Sequence, residues 1–384
     1  MAIYAGRIQT RSPFSFSRNA GTYILTATCK VWIWDGHITS GKPASPNYTI
    51  VKNALTATST SILFEISQLI RDEFNHNRDA YNDAVTTYSD TLWVELEVTS
   101  TDTGVAPPAS STISLAVDGY GYFAEGVNYA GTDFFTSVIN NPLDEIIRLG
   151  LYAGYNTTDG VDTVKYYNGA VLVETDDLSA ANISSNSYDK NQYIDVVQGV
   201  DNRFEARVVA DSGTYIINTC FNAFAPSDVE STIDTIELYN GATLLDTITV
   251  NNICEPKFTY NTIKFYDRNG LLQQVYMYKI SKEKIKVKRD KYNSIMGHPY
   301  SIEKHQVKDY NVTANESISL SSGFVGEEQN DVFKQILLSE FVWVDDKPAR
   351  ITTSSLDYKK HINDKLINYT LEFDYANDVI NTVY

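Results

Sequence analysis

DTVKYYNGAVLVET occupies residues 162–175, and DTIELYNGATLLDT occupies residues 234–247. Eight of the fourteen positions are identical, and most others are conservative: Val164 is matched by Ile236, Val173 by Leu245 and Glu174 by Asp246. Each copy reads as strand, turn, strand. Asn-Gly suits a type I′ hairpin because both central residues need φ > 0. The repeat therefore predicts turns at Asn168-Gly169 and Asn240-Gly241. A solenoid needs about three or more repeats to bury a continuous core. Two copies point instead to a modular all-β chain, with similar hairpins set inside β-sandwiches.

The composition agrees. Tyr (27) and Phe (16) far outnumber Met (3), a balance that favours strands and turns. Tyr also suits protein interfaces, since it offers apolar area and a hydroxyl. At 384 residues the chain is long for one core. Three segments are expected: a sandwich with a short helix over 1–140, a sandwich holding both repeat copies over 141–255, and a β-rich domain with one amphipathic helix over 256–384. The expected fold class is mainly β, with tandem antiparallel sandwiches.

The net charge of -17 argues against nucleic acid as a partner. Cys29, Cys220 and Cys254 lie far apart, without the CxxC spacing of a zinc site or the even count of a disulfide framework. The start, MAIYAGRIQTRSPFSFS, has no apolar core of a signal peptide, and no apolar run is long enough to span a membrane. A chain made in a reducing compartment, without membrane insertion, is the expectation.

In the first segment Tyr23–Trp34 alternates as a strand, and Trp32 and Trp34 share a face. That face is either core or, if exposed, a stacking platform for glycan. Ser67 is placed to cap a helix running to Phe74. The DGYGYFAEG stretch at 118–126 contains G-x-G-x-x-A, but no amphipathic helix follows, so a backbone crossing or subunit contact fits better than a phosphate loop.

The third segment opens with a hairpin turning at Asp267–Gly270. Lys282, Lys284, Lys286 and Lys288 then recur at every second residue, which puts them on one face of a strand. Residues 256–310 hold 12 Lys/Arg and 5 Asp/Glu, a balance of +7, so the remainder carries -24. Such a face either solvates an edge strand or docks on an acidic neighbour; these four lysines are the candidate subunit interface. Beyond them come a strand over Tyr310–Leu320, a helix over Glu327–Glu340, a strand at Phe341–Val344, turn chemistry at Asp345-Asp346, and a closing pair, Ile351–Tyr358 with Leu366–Tyr375. The order is β-α-β-β-β.

Chemistry is sparse. His37, His76, His298, His305 and His361 are scattered, and no GxSxG, HExxH or P-loop occurs. Asp176-Asp177 and Asp345-Asp346 read as turn residues rather than as a glycosidase pair. NTTDGVDT at 156–163 lacks the ordered ligand spacing of a calcium loop. Neither a catalytic residue, a metal nor a cofactor is expected.

The final segment carries a resemblance. KHQVKDYNVTANESISLSSGFVGEEQNDVFKQILLSEFVWV (304–344) followed by SLDYKKHINDKLINYTLEFDYAND (355–378) resembles virion structural proteins of tailed bacteriophages of Bacteroidetes-type hosts. Its element order is similar to the tail-tube and distal-tail fold. KPASPNYTIVKN (42–53), FEISQLIRDEF (64–74), DGYGYFAEGVN (118–128) and CEPKFTYNTIKFYDRNG (254–270) fit the same group. The resemblance implies a non-enzymatic tail or baseplate component of the virion. Its partners would be further copies of itself in a ring and other tail proteins. A host-glycan or receptor-binding module of a tail fibre, or a virion polysaccharide depolymerase, is the alternative.

Overall fold

The structure is a computed structural model. It describes residues 3–19, 22–34, 42–74, 91–131, 136–142, 147–152, 161–177, 192–195, 205–211, 214–223, 233–253, 258–295, 297–356 and 367–379. The chain is mainly β, with several sheets and a single helix longer than two turns among the described residues. It divides into two compact units. Unit 1 is Met1–Cys254 with Tyr266–Gln274, and unit 2 is Glu255–Phe265 with Val275–Tyr384.

Unit 1 begins with β1 (Ile3–Gln9), β2 (Ser15–Asn19), β3 (Ile24–Trp34), β4 (Tyr48–Asn53), β5 (Ser61–Glu65), helix α1 (Ser67–Arg71), β6 (Thr91–Asp102) and β7 (Ser110–Val117). One sheet has the order β1-β7-β6-β3-β4, and β2 pairs with β5 in a second. The larger sheet is buried on both faces. Ile24, Ala27, Cys29, Val31 and Ile33 join Phe64, Ile66 and Ile70 on one side. Trp32, Trp34, Trp93, Leu115 and Leu271 form a separate cluster. This explains the unbroken run Val31-Trp32-Ile33-Trp34, since a strand covered on both faces needs no polar alternation. Burial also pushes the Cys29 thiol up to about 11, against the opposing pull of Lys52.

Helix α1 is shorter than expected and ends at Arg71, and Ser67 does not cap it. The N-cap is Ile66, and the Ser67 hydroxyl bonds back to Glu65. The carboxylate two residues earlier competes for the hydroxyl that a cap would use.

Next come β8 (Val138–Pro142), β9 (Ile147–Tyr152), β10 (Thr163–Asn168), β11 (Val171–Asp177), β12 (Gln192–Asp195), β13 (Glu205–Asp211), β14 (Thr214–Ala223), β15 (Thr235–Asn240) and β16 (Thr243–Ile253). They form two sheets, β11-β10-β15-β16-β8 and β12-β13-β14-β9. Two pairs in unit 1, β1 with β7 and β16 with β8, are parallel, so the sheets are not purely antiparallel. Each parallel pair joins strands far apart in sequence, which leaves room for the crossover that parallel pairing requires.

The duplicated hairpins pair with each other. β10 and β15 run antiparallel with Lys165 opposite Glu237, Thr163 opposite Tyr239 and Tyr167 opposite Thr235. Lys165 and Glu237 are equivalent positions of the repeat, so the two copies are related by a local pseudo-twofold axis through that pair. The reciprocity extends to the turns. Asp234 Oδ2 accepts from Gly169 N at 2.7 Å, and Asp162 Oδ2 accepts from Gly241 N at 2.6 Å. Asp162 N donates to Tyr239 O and Asp234 N to Tyr167 O, both at 2.9 Å. Each copy's leading aspartate thus caps the other copy's turn.

The turn itself differs from expectation. Asn168 pairs with Val171, so Gly169 and Ala170 are the central residues; Asn240 pairs with Thr243 in the same way. Gly169 and Gly241 take φ of 58°, whereas the asparagines stay out of the positive-φ region. A bulge one step down each hairpin shifts the register and moves the turn along by one residue. Asp176 and Asp177 are strand residues of β11 rather than turn residues, because this register carries the ladder through to Thr163.

Unit 2 is built on a seven-stranded sheet, of which Tyr266 and Leu272–Gln274, flanking the turn between its first two strands, count with unit 1. Its strands are β17 (Asn261–Tyr266), β18 (Leu272–Met277), β19 (Lys282–Asn293), β20 (Val307–Val325), β21 (Val342–Val344), β22 (Lys347–Ile351) and β23 (Ile367–Asp378), in the order β18-β17-β21-β22-β23-β20-β19. A short 3-10 turn at Glu327–Gln329 leads into helix α2 (Asn330–Leu338), which buries Val332, Phe333, Gln335 and Ile336. The Phe333 ring lies 4.5 Å from that of Tyr369 on β23. The β-α-β-β-β order holds, but the strand before β23 is Lys347–Ile351 rather than Ile351–Tyr358. Asp345 and Asp346, with φ of 49° and 64°, make a two-residue turn that starts β22 at once. Thr262 N and Asn261 Nδ2 donate to the Asp345 carboxylate, and Lys264 Nζ lies 2.5 Å from Asp346. Those partners hold two consecutive non-glycine residues in a conformation that aspartate tolerates better than most.

Candidate assembly surface

β19 is an edge strand of its sheet and is unusually open. Eleven of its twelve residues are exposed. The four lysines share a face, as the alternation requires, opposite Ser319, Ser317, Asn315 and Thr313 of β20. Lys286 bonds Asp374 at 2.6 Å. Among the described residues, Lys282, Lys284 and Lys288 form no ion pair. The other face is apolar at its centre, where Ile285 is 55% exposed and Val287 46%.

The strand pair outruns its sheet. β23 accompanies β20 only from Asn315 to Val325, whereas β19 continues alongside it to Val307. Residues 288–293 and 307–313 therefore form a two-stranded ribbon. Tyr292 and Tyr310 meet edge to face, 6.0 Å apart, and both stay exposed. Beyond them the connecting segment exposes Ile295, Tyr300 and Ile302. A two-stranded ribbon is marginal in water without a covered face. Clustered aromatic and aliphatic exposure of this kind marks a contact surface.

The 118–131 loop is a backbone crossing. It wraps the turn at residues 267–270, which belongs to unit 1. Tyr120 N donates to Arg268 O at 2.8 Å, and a Cβ on Gly119 would lie 1.8 Å from Gln9 Oε1 and 2.4 Å from that same carbonyl. The Arg268 guanidinium sits 4.3 Å and 4.4 Å from the ring centres of Tyr122 and Tyr129 and bonds both Glu125 oxygens at 2.6 and 2.5 Å. Arg268 is 5% exposed, so loss of its carboxylate partner costs about 3 kcal/mol. Gly119 serves close approach to this turn, Gly121 leaves room for the Tyr129 side chain, and the loop continues into a three-residue 3-10 turn at Phe123–Glu125.

Trp32 and Trp34 are 8% and 5% exposed and lie in the tryptophan cluster, with the Lys42 ammonium 4.4 Å above the Trp32 ring. They offer no open ring face for a sugar to stack on. His298 and His305 are exposed on the segment that closes the ribbon. His37, His76, His361, Cys254 and residues 156–160 fall outside the described residues. No cluster of three or more metal-ligating side chains occurs among the described residues, and none of their helices is long and apolar enough to cross a membrane.

Sequence reasoning located the lysine face through its period of two. It missed the hydrophobic face of the same strand, because Ile285 and Val287 look like ordinary core positions until burial is known. Compared with known proteins, the chain matches no family model and no curated protein.

Proposed function

We propose that this protein is a non-enzymatic structural subunit, a component of a phage tail or baseplate that assembles with copies of itself through the β19–β20 ribbon. The observation that carries the reading is the open edge strand with lysines on one face and exposed Ile285 and Val287 on the other. The charge distribution supports it: a +7 segment sits in a chain whose remainder carries -24, so the ribbon of one copy is attracted to the acidic surface of the next. Contacts between two different patches of one subunit close into a ring when the rotation permits. The resemblance of residues 304–344 and 355–378 to tail proteins supports the reading that such a ring belongs to a virion.

Light scattering and negative-stain imaging of the purified chain at low and moderate salt test this reading. The expected result is a ring that loosens as salt screens the lysines. A strict monomer at every concentration and salt would overturn self-assembly. Lys282, Lys284 and Lys288 replaced together by Glu should weaken assembly at least tenfold while leaving the unfolding midpoint unchanged, since their side chains bond nothing within the described chain.

A further inference from the structure

We infer that the reciprocal aspartate caps also protect the covalent chain: Asn168 and Asn240 are latent deamidation sites, each guarded by the leading aspartate of the other repeat copy, and Asn240 is the less firmly guarded of the two. Asn-Gly is prone to this chemistry because glycine has no side chain to hinder the approach of its nitrogen. The chain holds such pairs at 168–169, 240–241 and 269–270.

The reaction needs only water. The glycine N–H gives its proton to solvent, and the nitrogen attacks the asparagine Cγ. An N–Cγ bond forms, the Cγ–Nδ2 bond breaks, and ammonia leaves with a proton taken from water. The succinimide then adds one water at either carbonyl and opens to aspartate or isoaspartate. The glycine nitrogen is the nucleophile, so a bond that engages its N–H opposes the first step.

Both duplicated hairpins engage it. Gly169 N donates to Asp234 Oδ2 at 2.7 Å, and Gly241 N donates to Asp162 Oδ2 at 2.6 Å. Hydrogen bonds to a carboxylate are short and strong. Each also sets a negative charge beside a nitrogen that must itself become an anion to react, which like-charge repulsion disfavours. The product is opposed too. The ring nitrogen has no hydrogen left to donate, so the capping carboxylate loses its partner. Tyr167 is opposite Thr235 and Thr163 is opposite Tyr239, so a new carboxylate at 168 or 240 arises level with the aspartate already there. The third pair is protected by burial instead: Asn269 is 3% exposed, and Gly270 N donates to Asp267 O at 3.1 Å.

The two guarded sites match in sequence, Tyr-Asn-Gly-Ala, and in exposure, with the asparagine half-buried and the glycine exposed. Their guards differ. Asp234 is anchored through its second oxygen, which accepts from Thr235 Oγ1 at 3.0 Å. Asp162 Oδ1 is buried and accepts no hydrogen bond among the described residues. That desolvation cost is relieved when the Asp162 side chain turns out to water, and the turn frees the Gly241 N–H.

The test incubates the full-length protein in mildly alkaline buffer and follows each site by peptide mapping and mass spectrometry, with the same protein unfolded in urea as the unguarded reference. The expected result is that both sites react about tenfold or more slowly in the folded chain than in urea, with Asn240 ahead of Asn168. Asp234→Ala should raise the Asn168 rate about tenfold and leave Asn240 at the parent rate, and Asp162→Ala should do the converse. Asp234→Asn and Asp162→Asn keep an acceptor oxygen without the charge; they should fall between parent and alanine, and they carry the same test where an alanine variant does not fold. General loosening of the hairpins would raise both sites together in either variant, and that result overturns the guard. So does a guarded site that reacts no faster in its variant than in the parent. Asn168 reacting ahead of Asn240 in the parent overturns the ranking.

Discussion

The β10–β11 and β15–β16 hairpins and the β19–β20 ribbon are the same kind of object with opposite fates. Each duplicated hairpin finds its partner inside the chain. The two meet edge to edge about a pseudo-twofold axis, bury Val164, Tyr166, Ile236 and Leu238 on one face, and exchange aspartate caps at their turns. The ribbon is longer, yet among the described residues β19 has no strand on its outer edge, and none of its side chains is buried. A hairpin is stable only when something covers it. Where the chain supplies its own cover, gene-internal repetition suffices. Where it does not, another molecule is the natural source.

The sharpest way to break this comparison is paired truncation. Ile236→Ala, at a fully buried position, should cost about 3 kcal/mol in denaturant unfolding of the monomer. Ile285→Ala on the ribbon should cost less than about 0.5 kcal/mol in the same assay and should instead weaken assembly. Equal losses of stability would mean the ribbon is covered within the chain. Next in size are the caps. Asp162→Ala removes the charge-assisted bond to the Gly241 N–H, so it should cost about 1 kcal/mol, and Asp234→Ala should cost somewhat more, because it removes the bond to the Gly169 N–H and the one from Thr235 Oγ1 as well.

A smaller effect tests the axis. In two identical hairpins the residue on the axis would face itself; here Lys165 faces Glu237, so the duplication has diverged to place opposite charges where like charges would meet. Lys165→Glu should cost about 0.5 kcal/mol, and adding Glu237→Lys should recover the charge pairing but not the Tyr239 hydroxyl bond to Glu237, so the rescue is partial. The smallest effect concerns Tyr239. Its hydroxyl donates to Glu237 Oε2 at 2.6 Å, and that bond, with burial and the carboxylate's charge, pushes it up to about 12. Because the folded value is the higher one, the contribution to stability is complete below about pH 10 and fades as pH rises through 12. Ultraviolet titration of Glu237→Gln against the parent should show two tyrosines, Tyr239 and Tyr167, moving back toward the ordinary range, since the Glu237 carboxylate pushes both up.

Much of this was legible in the sequence. The period-two lysines, the shared face of Trp32 and Trp34, the hairpin turning at 267–270 and the β-α-β-β-β order all follow from local periodicity, which the folded backbone preserves. The remainder depends on registers between distant strands. Asp162 and Asp234 are 72 positions apart, and nothing in either copy says that each serves the other's turn. Gly169 and Gly241 rather than the asparagines take positive φ because a bulge moves the turn along, and a bulge leaves no compositional trace.

Hydrogen exchange of residues 282–293, measured on the full chain at dilute and at assembling concentrations, tests the central claim most directly. The account predicts fast exchange of the outward-facing β19 amides in the dilute protein and marked protection of the same amides on assembly, with β10 and β15 equally protected in both. Exchange of β19 that is unchanged by assembly, or already slow in the monomer, would contradict it.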